Sequence, residues 1–131
     1  MCRPRCRLLV LVLGVAVCGC GSKQKSTAEL LSDLKGNDPL DRLVAVRLLP
    51  ERKQDAAEVV PALTEAVRDK SVDIRLSAVI GLGTFGQEAK AAVPALETAL
   101  KDPDRRVRDA AVVAIRRIDP RAAEPGSAGR R

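Results

Sequence analysis

The sequence predicts an all-α fold, a short right-handed α-solenoid of about three helix pairs preceded by a cleaved signal peptide. Three observations predict it: a pattern that recurs at an offset of 33 residues, one-sided apolar stripes at helical spacing inside each recurrence, and a ten-residue apolar run behind three N-terminal arginines. The expected organisation is a leader over 1–19, a modified N-terminus and flexible tether over 20–26, a repeat domain over 27–120 and a disordered basic tail over 121–131.

Arg3, Arg5 and Arg7 form a positive segment ahead of Leu8 to Val17, "LLVLVLGVAV". Ten apolar residues suit a secretory leader. They fall short of the roughly 20 needed to span a bilayer. The following "VCGC" resembles the lipobox of bacterial lipoproteins, with Val17 at the third position before Cys20 and Gly19 directly before it. Cys18 fits less well, because branched Val17 would flank the cleaved bond. The resemblance implies cleavage before Cys20, acylation of its sulfur and a stable lipid anchor, since two or more acyl chains hold a protein at a membrane where one does not. It also implies a place in the bacterial cell envelope, on the periplasmic or outer-surface side. All four cysteines lie in the first twenty residues, so the repeat domain is expected to hold neither a disulfide nor a thiolate metal site. "GSKQKS", Gly21 to Ser26, has nothing to bury and reads as a tether.

From Thr27 the repeats begin. "PALTEAVRDKSVDIRLSAVIGLG" from Pro61 and "PALETALKDPDRRVRDAAVVAIR" from Pro94 align without gaps, pairing Leu63 with Leu96, Ile74 with Val107, Ala78 with Ala111 and Leu82 with Ile115. A more divergent first unit carries Leu30, Leu34, Arg42, Ala45, Val46 and Leu49 at the matching places. The units run over about 27–60, 61–93 and 94–120, and each reads as two helices. Pro61 is expected in the first turn of its helix, where a missing N–H costs nothing. Asp69, Asp102 and the Asp38-Pro39 and Asp102-Pro103 pairs supply the turn chemistry. Among Gly81, Gly83 and Gly86, at least one is expected to close the middle unit's second helix with positive φ. In the first unit Asp41 stands where Ile74 and Val107 stand later, so Leu40 or Leu43 is expected to fill that place. Each stripe is one-sided, and stacking is what buries it.

The two aligned runs resemble short bacterial HEAT-like repeats of the phycobilin-lyase type, over about 94 of the 131 residues. That resemblance implies an arginine paired with the turn aspartate of its own unit, here Asp69 with Arg75 and Asp102 with Arg108. The unpaired alternative is a basic ladder for phosphate or an acidic partner. Gly36 replaces the aspartate in the first unit.

Composition removes other functions. The chain has no His, Trp or Tyr and a single Phe, which takes away the commonest general base and the commonest interface anchors. The formal charge is +6, yet from Ser26 to Pro120 there are 15 Lys and Arg against 16 Asp and Glu. With a balanced body and no aromatic rings for base stacking, nucleic acid is not expected as a partner. No catalytic, cofactor-binding or metal-ligating group is found, no small-molecule substrate is expected, and the chain is expected not to be an enzyme. The leading expectation is a lipid-anchored interaction module of the cell envelope. It would hold a protein or peptide on the second-helix surface, through Leu43, Arg47, Leu76, Ile80, Arg106, Asp109 and Val113. The alternative is a structural or regulatory subunit stacked with another helical repeat protein, and a lyase-like role ranks last because three bare helix pairs offer little concavity.

Overall fold

A computed structural model describes residues 24–121. The leader, Cys20 and the tail lie outside the described residues. Six α-helices follow one another: α1 Thr27–Lys35, α2 Pro39–Leu48, α3 Ala56–Ala66, α4 Val72–Phe85, α5 Val93–Ala99 and α6 Arg105–Ile118. Short 3-10 stretches at Leu49–Glu51, Lys53–Asp55 and Gly86–Ala92 make the passages between pairs. No strand occurs among the described residues.

The 33-residue period is most regular at the second helices, which begin at Pro39, Val72 and Arg105 behind the N-terminal cap positions Asp38, Ser71 and Asp104. Asp38 accepts from the amides of Leu40 and Asp41, and Asp104 accepts from that of Arg106, satisfying amides that the first turn leaves open. α1 starts with a capping box between Ser26 and Glu29. α4 ends at Gly86, whose φ of 55° and ψ of −129° suit a residue without Cβ.

The first helices depart from expectation. Pro61 lies inside α3, because that helix begins five residues earlier at Ala56. The ring removes one donor from the second turn, and the helix continues because the apolar face of Val59, Val60, Leu63 and Ala66 is buried on its neighbours. In the last unit the corresponding first turn is the 3-10 stretch, leaving Pro94 near the start of α5.

Burial follows the repeat. Leu30, Leu63 and Leu96 are fully buried at equivalent places, as are Ala45, Ala78 and Ala111. Leu43 packs partly against this core, as its repeat equivalent Leu76 does, while Leu40 stands in solvent, so Leu40 does not take the buried place of Ile74 and Val107 in the first unit. α4 lies between α2 and α6. Two glycines permit this: a Cβ on Gly81 would sit 2.7 Å from Pro50 Cγ, and one on Gly83 would sit 3.2 Å from Ala114 Cα. Position 83 of the middle unit thus meets position 114 of the last as Pro50 meets Gly81, one period earlier.

Charged rungs register the units. The Arg42 guanidinium donates to Asp69 Oδ2 at 2.7 Å. Arg75 forks onto Asp102, with Nε on Oδ2 at 2.7 Å and Nη2 on Oδ1 at 2.9 Å. The carboxylates therefore pair with the arginine of the preceding unit, which corrects the expected pairing of Asp69 with Arg75 and of Asp102 with Arg108. Within a unit the arginine reaches only the turn backbone: Arg75 donates to the Asp69 carbonyl at 3.0 Å and Arg108 to the Asp102 carbonyl at 2.6 Å. The aspartate's own turn engages its Oδ1 instead, through the amides of Ser71 and Asp104.

Two outcomes follow from this packing. Leu82 is fully buried on the shared stripe, and Leu82→Ala is expected to cost about 2 to 5 kcal/mol, read as a lowered melting transition by circular dichroism. Arg75, hydrogen-bonded to Asp102, holds that carboxyl below the ordinary aspartate value of 3.8. A depressed carboxylate pKa contributes stability that is complete above the ordinary value and lost as pH falls through the folded-state value. Asp102→Asn is expected to lower stability at neutral pH by roughly 1 to 3 kcal/mol. Melting curves recorded from neutral pH down through the carboxylate range would then show a shallower acid loss than those of the parent protein.

Candidate functional site

The sequence singled out the second-helix surface, and the structure opens a groove there between α4 and α6. Its volume is about 360 Å³, and it is lined by Ile80 and Gly83 from α4 and by Asp109, Ala110, Val113, Ala114 and Arg117 from α6. Ile80 is 51% exposed and Val113 48% exposed, so two large aliphatic side chains of adjacent helices line the same open groove. The floor is low because Gly83, Ala110 and Ala114 project little. Its polar ends are opposite in sign. Asp109 and Arg117 are eight residues apart on one helix, a rise of about 12 Å at 1.5 Å per residue.

Of the seven surface residues expected from sequence, the groove brings together Ile80, Asp109 and Val113. Arg47, one period ahead of Ile80, is exposed on α2 but outside the lining. Leu43 and Leu76 turn partly inward and pack against the core. Arg106 points elsewhere, its guanidinium 3.3 Å from Asp104 and 3.9 Å from Asp73 at the start of α4. These exposed pairs hold Asp104 below the ordinary carboxylate range through the Arg106 hydrogen bond. Gly83, Ala110, Ala114 and Arg117 were missed by sequence reasoning. The small residues at 77 and 81, repeated one period later at 110 and 114 on the same helical face, are the signal that marks Ala110 and Ala114, while no such recurrence marks Gly83 or Arg117.

The groove suits apolar contact more than proton transfer. Its two ionisable residues sit at the rim, and Asp109 is 3.4 Å from Arg105 on the solvent side. Among the described residues no group of three or more His, Cys, Asp or Glu is placed to hold a metal ion. No helix among them is long and apolar enough to cross a membrane. A smaller pocket of about 140 Å³ lies on the first-helix side, between Leu34, Lys35, Ala62 and Glu65.

Comparison with known proteins bears on both fold and role. Among curated proteins nothing matches the chain. Among solved structures it is similar to a chain in the complex of CpcE and CpcF of phycocyanin lyase from Nostoc sp. PCC7120, at 24% identity and a TM-score of 0.70. The match covers 88% of this chain and 45% of that one, so this chain spans less than half the length of the solved one. That likeness overturns the ranking that placed a lipid-anchored interaction module first and a lyase-like role last, and with it the exclusion of an enzymatic role. The exclusion assumed that a pocket must be formed within three helix pairs of one chain. In the similar structure the fold belongs to a longer chain solved in a complex of two proteins, so that assumption does not hold there. The fold itself is independently identified. The family model of HEAT repeats matches residues 27–116, well over half of the sequence, and the chain belongs to the HEAT-repeat family.

Proposed function

We propose that this chain is a lyase-associated subunit, a helical-repeat body that holds a protein substrate along the α4–α6 groove while a second chain completes the reacting site. The groove around Ile80 and Val113 is the observation that carries the reading, because it is apolar, shallow and open along the helices. The likeness to the phycocyanin lyase complex supports the reaction class, and its two named proteins support the need for a partner. The absence of His, Trp and Tyr and of Cys beyond residue 20 is consistent with chemistry shared between chains.

Phycocyanin is the natural probe, with CpcE and CpcF each supplied as the second chain. The protein is expected to bind phycocyanin and to support lyase turnover with at least one of them. Replacing both Ile80 and Val113 by Asp is expected to weaken binding about tenfold or more while leaving the melting transition nearly unchanged, since exposed substitutions seldom move stability by more than about 0.5 kcal/mol. Binding that survives the double change would remove the groove from the reading. Absence of both binding and turnover with either partner would remove the lyase role.

The N-terminal sequence supports a separate proposal, that the chain is exported and acylated at Cys20, which puts it on a bacterial envelope membrane. The arginines ahead of Leu8–Val17 and the Gly19-Cys20 pair are its grounds. Metabolic labelling with a tagged fatty acid is expected to mark the parent and Cys18→Ala proteins and to miss Cys20→Ala. Undiminished labelling of Cys20→Ala rejects the assignment.

A further inference from the structure

Position 112 recurs at 79 and 46, and its state changes along the stack. Val46 and Val79 are fully buried, whereas Val112 is 39% exposed. The same holds for Leu100, which is 37% exposed where its equivalent Val67 is 4% exposed. Both residues of the middle unit are covered where the last unit packs against it. Both residues of the last unit are uncovered. The rungs repeat this asymmetry: Arg42 takes Asp69, Arg75 takes Asp102, and Arg108 donates only to the carbonyls of Asp102 and Pro103 through one terminal nitrogen. Among the described residues nothing accepts from its other nitrogens.

We infer that this end of the stack is an interface for a helix pair of a second chain that carries a carboxylate in its turn, three residues ahead of its second helix, as Asp69 and Asp102 stand ahead of α4 and α6. The inference rests on the subunit reading above, and it names the surface that the second chain uses. Continuity with the interface between the middle and last units supplies the geometry: two aliphatic side chains flanked by a guanidinium whose fork awaits a turn carboxylate. Charge supplies the sign. Arg116 stands at the position held by Pro50 and Gly83 in the internal crossings, so the incoming helix is held further off than α6 is from α4 and presents an acidic residue there. A second copy of this chain does not meet the requirement, because its first unit has Gly36 where the carboxylate is needed. The groove and the end face are separate surfaces, since Val113 lines one and Val112 belongs to the other.

A photo-reactive phenylalanine analogue at position 112 of the full chain, expressed in its own cells, tests this when the cross-linked peptide is identified by mass spectrometry. The expected peptide comes from a different protein and carries Asp or Glu three residues before a helix. Its yield is expected to fall about tenfold in Arg108→Gln, the scale of losing one charge-assisted contact. Circular dichroism confirms that this variant is folded, and Arg108→Lys, which keeps the charge and loses the fork, is expected to fall between. Cross-links to residues 122–131, to a second copy, or to a peptide without a carboxylate overturn the inference. So does a folded Arg108→Gln protein with undiminished yield, or no cross-link at all. The analogue placed at 113 reports on the groove, so loss of phycocyanin contact there marks failure of the subunit reading and not of the end face.

Discussion

The stack depends on one contact, the guanidinium of one helix pair held by the turn carboxylate of the next. Hydrophobic burial drives the pairs together but is indifferent to small slides, because it scales with area and not with direction. A forked guanidinium on a carboxylate is directional. The aspartate makes it more so by dividing its oxygens: at Asp102, Oδ1 accepts the Asp104 amide in its own turn as well as Arg75 Nη2, and Oδ2 accepts Arg75 Nε. The same side chain therefore shapes a turn and fixes the angle of the neighbouring helix. At Asp69 the pattern is looser, with one bond from Arg42, whose Nε is buried without a partner. The first unit is the least regular of the three, consistent with that weaker rung.

Much of this fold was legible from residues alone. The period, the six helices, the buried stripe through Leu30, Leu63 and Leu96, and the positive φ among the three glycines all followed from spacing and turn chemistry. The rung register did not. An exact 33-residue repeat is blind to it, because Asp69 with Arg75 and Asp69 with Arg42 look alike once positions are taken modulo the period. Only the three-dimensional stacking decides which copy is nearer, and the turn of a unit lies against the second helix of the unit before it. Pro61 failed for a related reason: a local preference for the first turn yielded to burial of Val59 and Val60 ahead of the missing donor and of Ala62 and Leu63 after it.

The candidate groove was half legible. Ile80 and Val113 are conspicuous as aliphatic residues off the core stripe at matching positions, which points to a strip on the surface. The depth of that strip comes from Gly83, Ala110 and Ala114, which carry no chemistry of their own and are visible only through what they leave empty. Leu43 and Leu76 show the opposite error. They occupy the same helical face by counting, yet both pack partly against the core, because the second helices cross closely enough to cover them. The dismissal of a lyase-like role had the same root, since a sequence read as one body cannot show concavity formed between bodies.

A rung that always runs from one unit's arginine to the next unit's carboxylate makes a finite stack unequal at its ends. One end has a carboxylate position with no arginine before it, and the other has an arginine with no carboxylate after it. The first is removed by replacement: Gly36 takes the aspartate's place, and the chain ahead is tied down by other means, with Lys25 2.7 Å from Asp33 and the Thr27 hydroxyl donating to Asp55. The second is kept. Arg108 remains a full guanidinium, held in position by two carbonyls at 2.6 and 2.9 Å and flanked by uncovered Leu100 and Val112. A terminal unit adapted only to water gains nothing from an oriented fork beside aliphatic side chains, since solvent satisfies a free arginine in any rotamer. The two ends of this stack therefore differ in chemistry as well as in place, the first closed by substitution and the second left in the form that the internal units use to hold a neighbour.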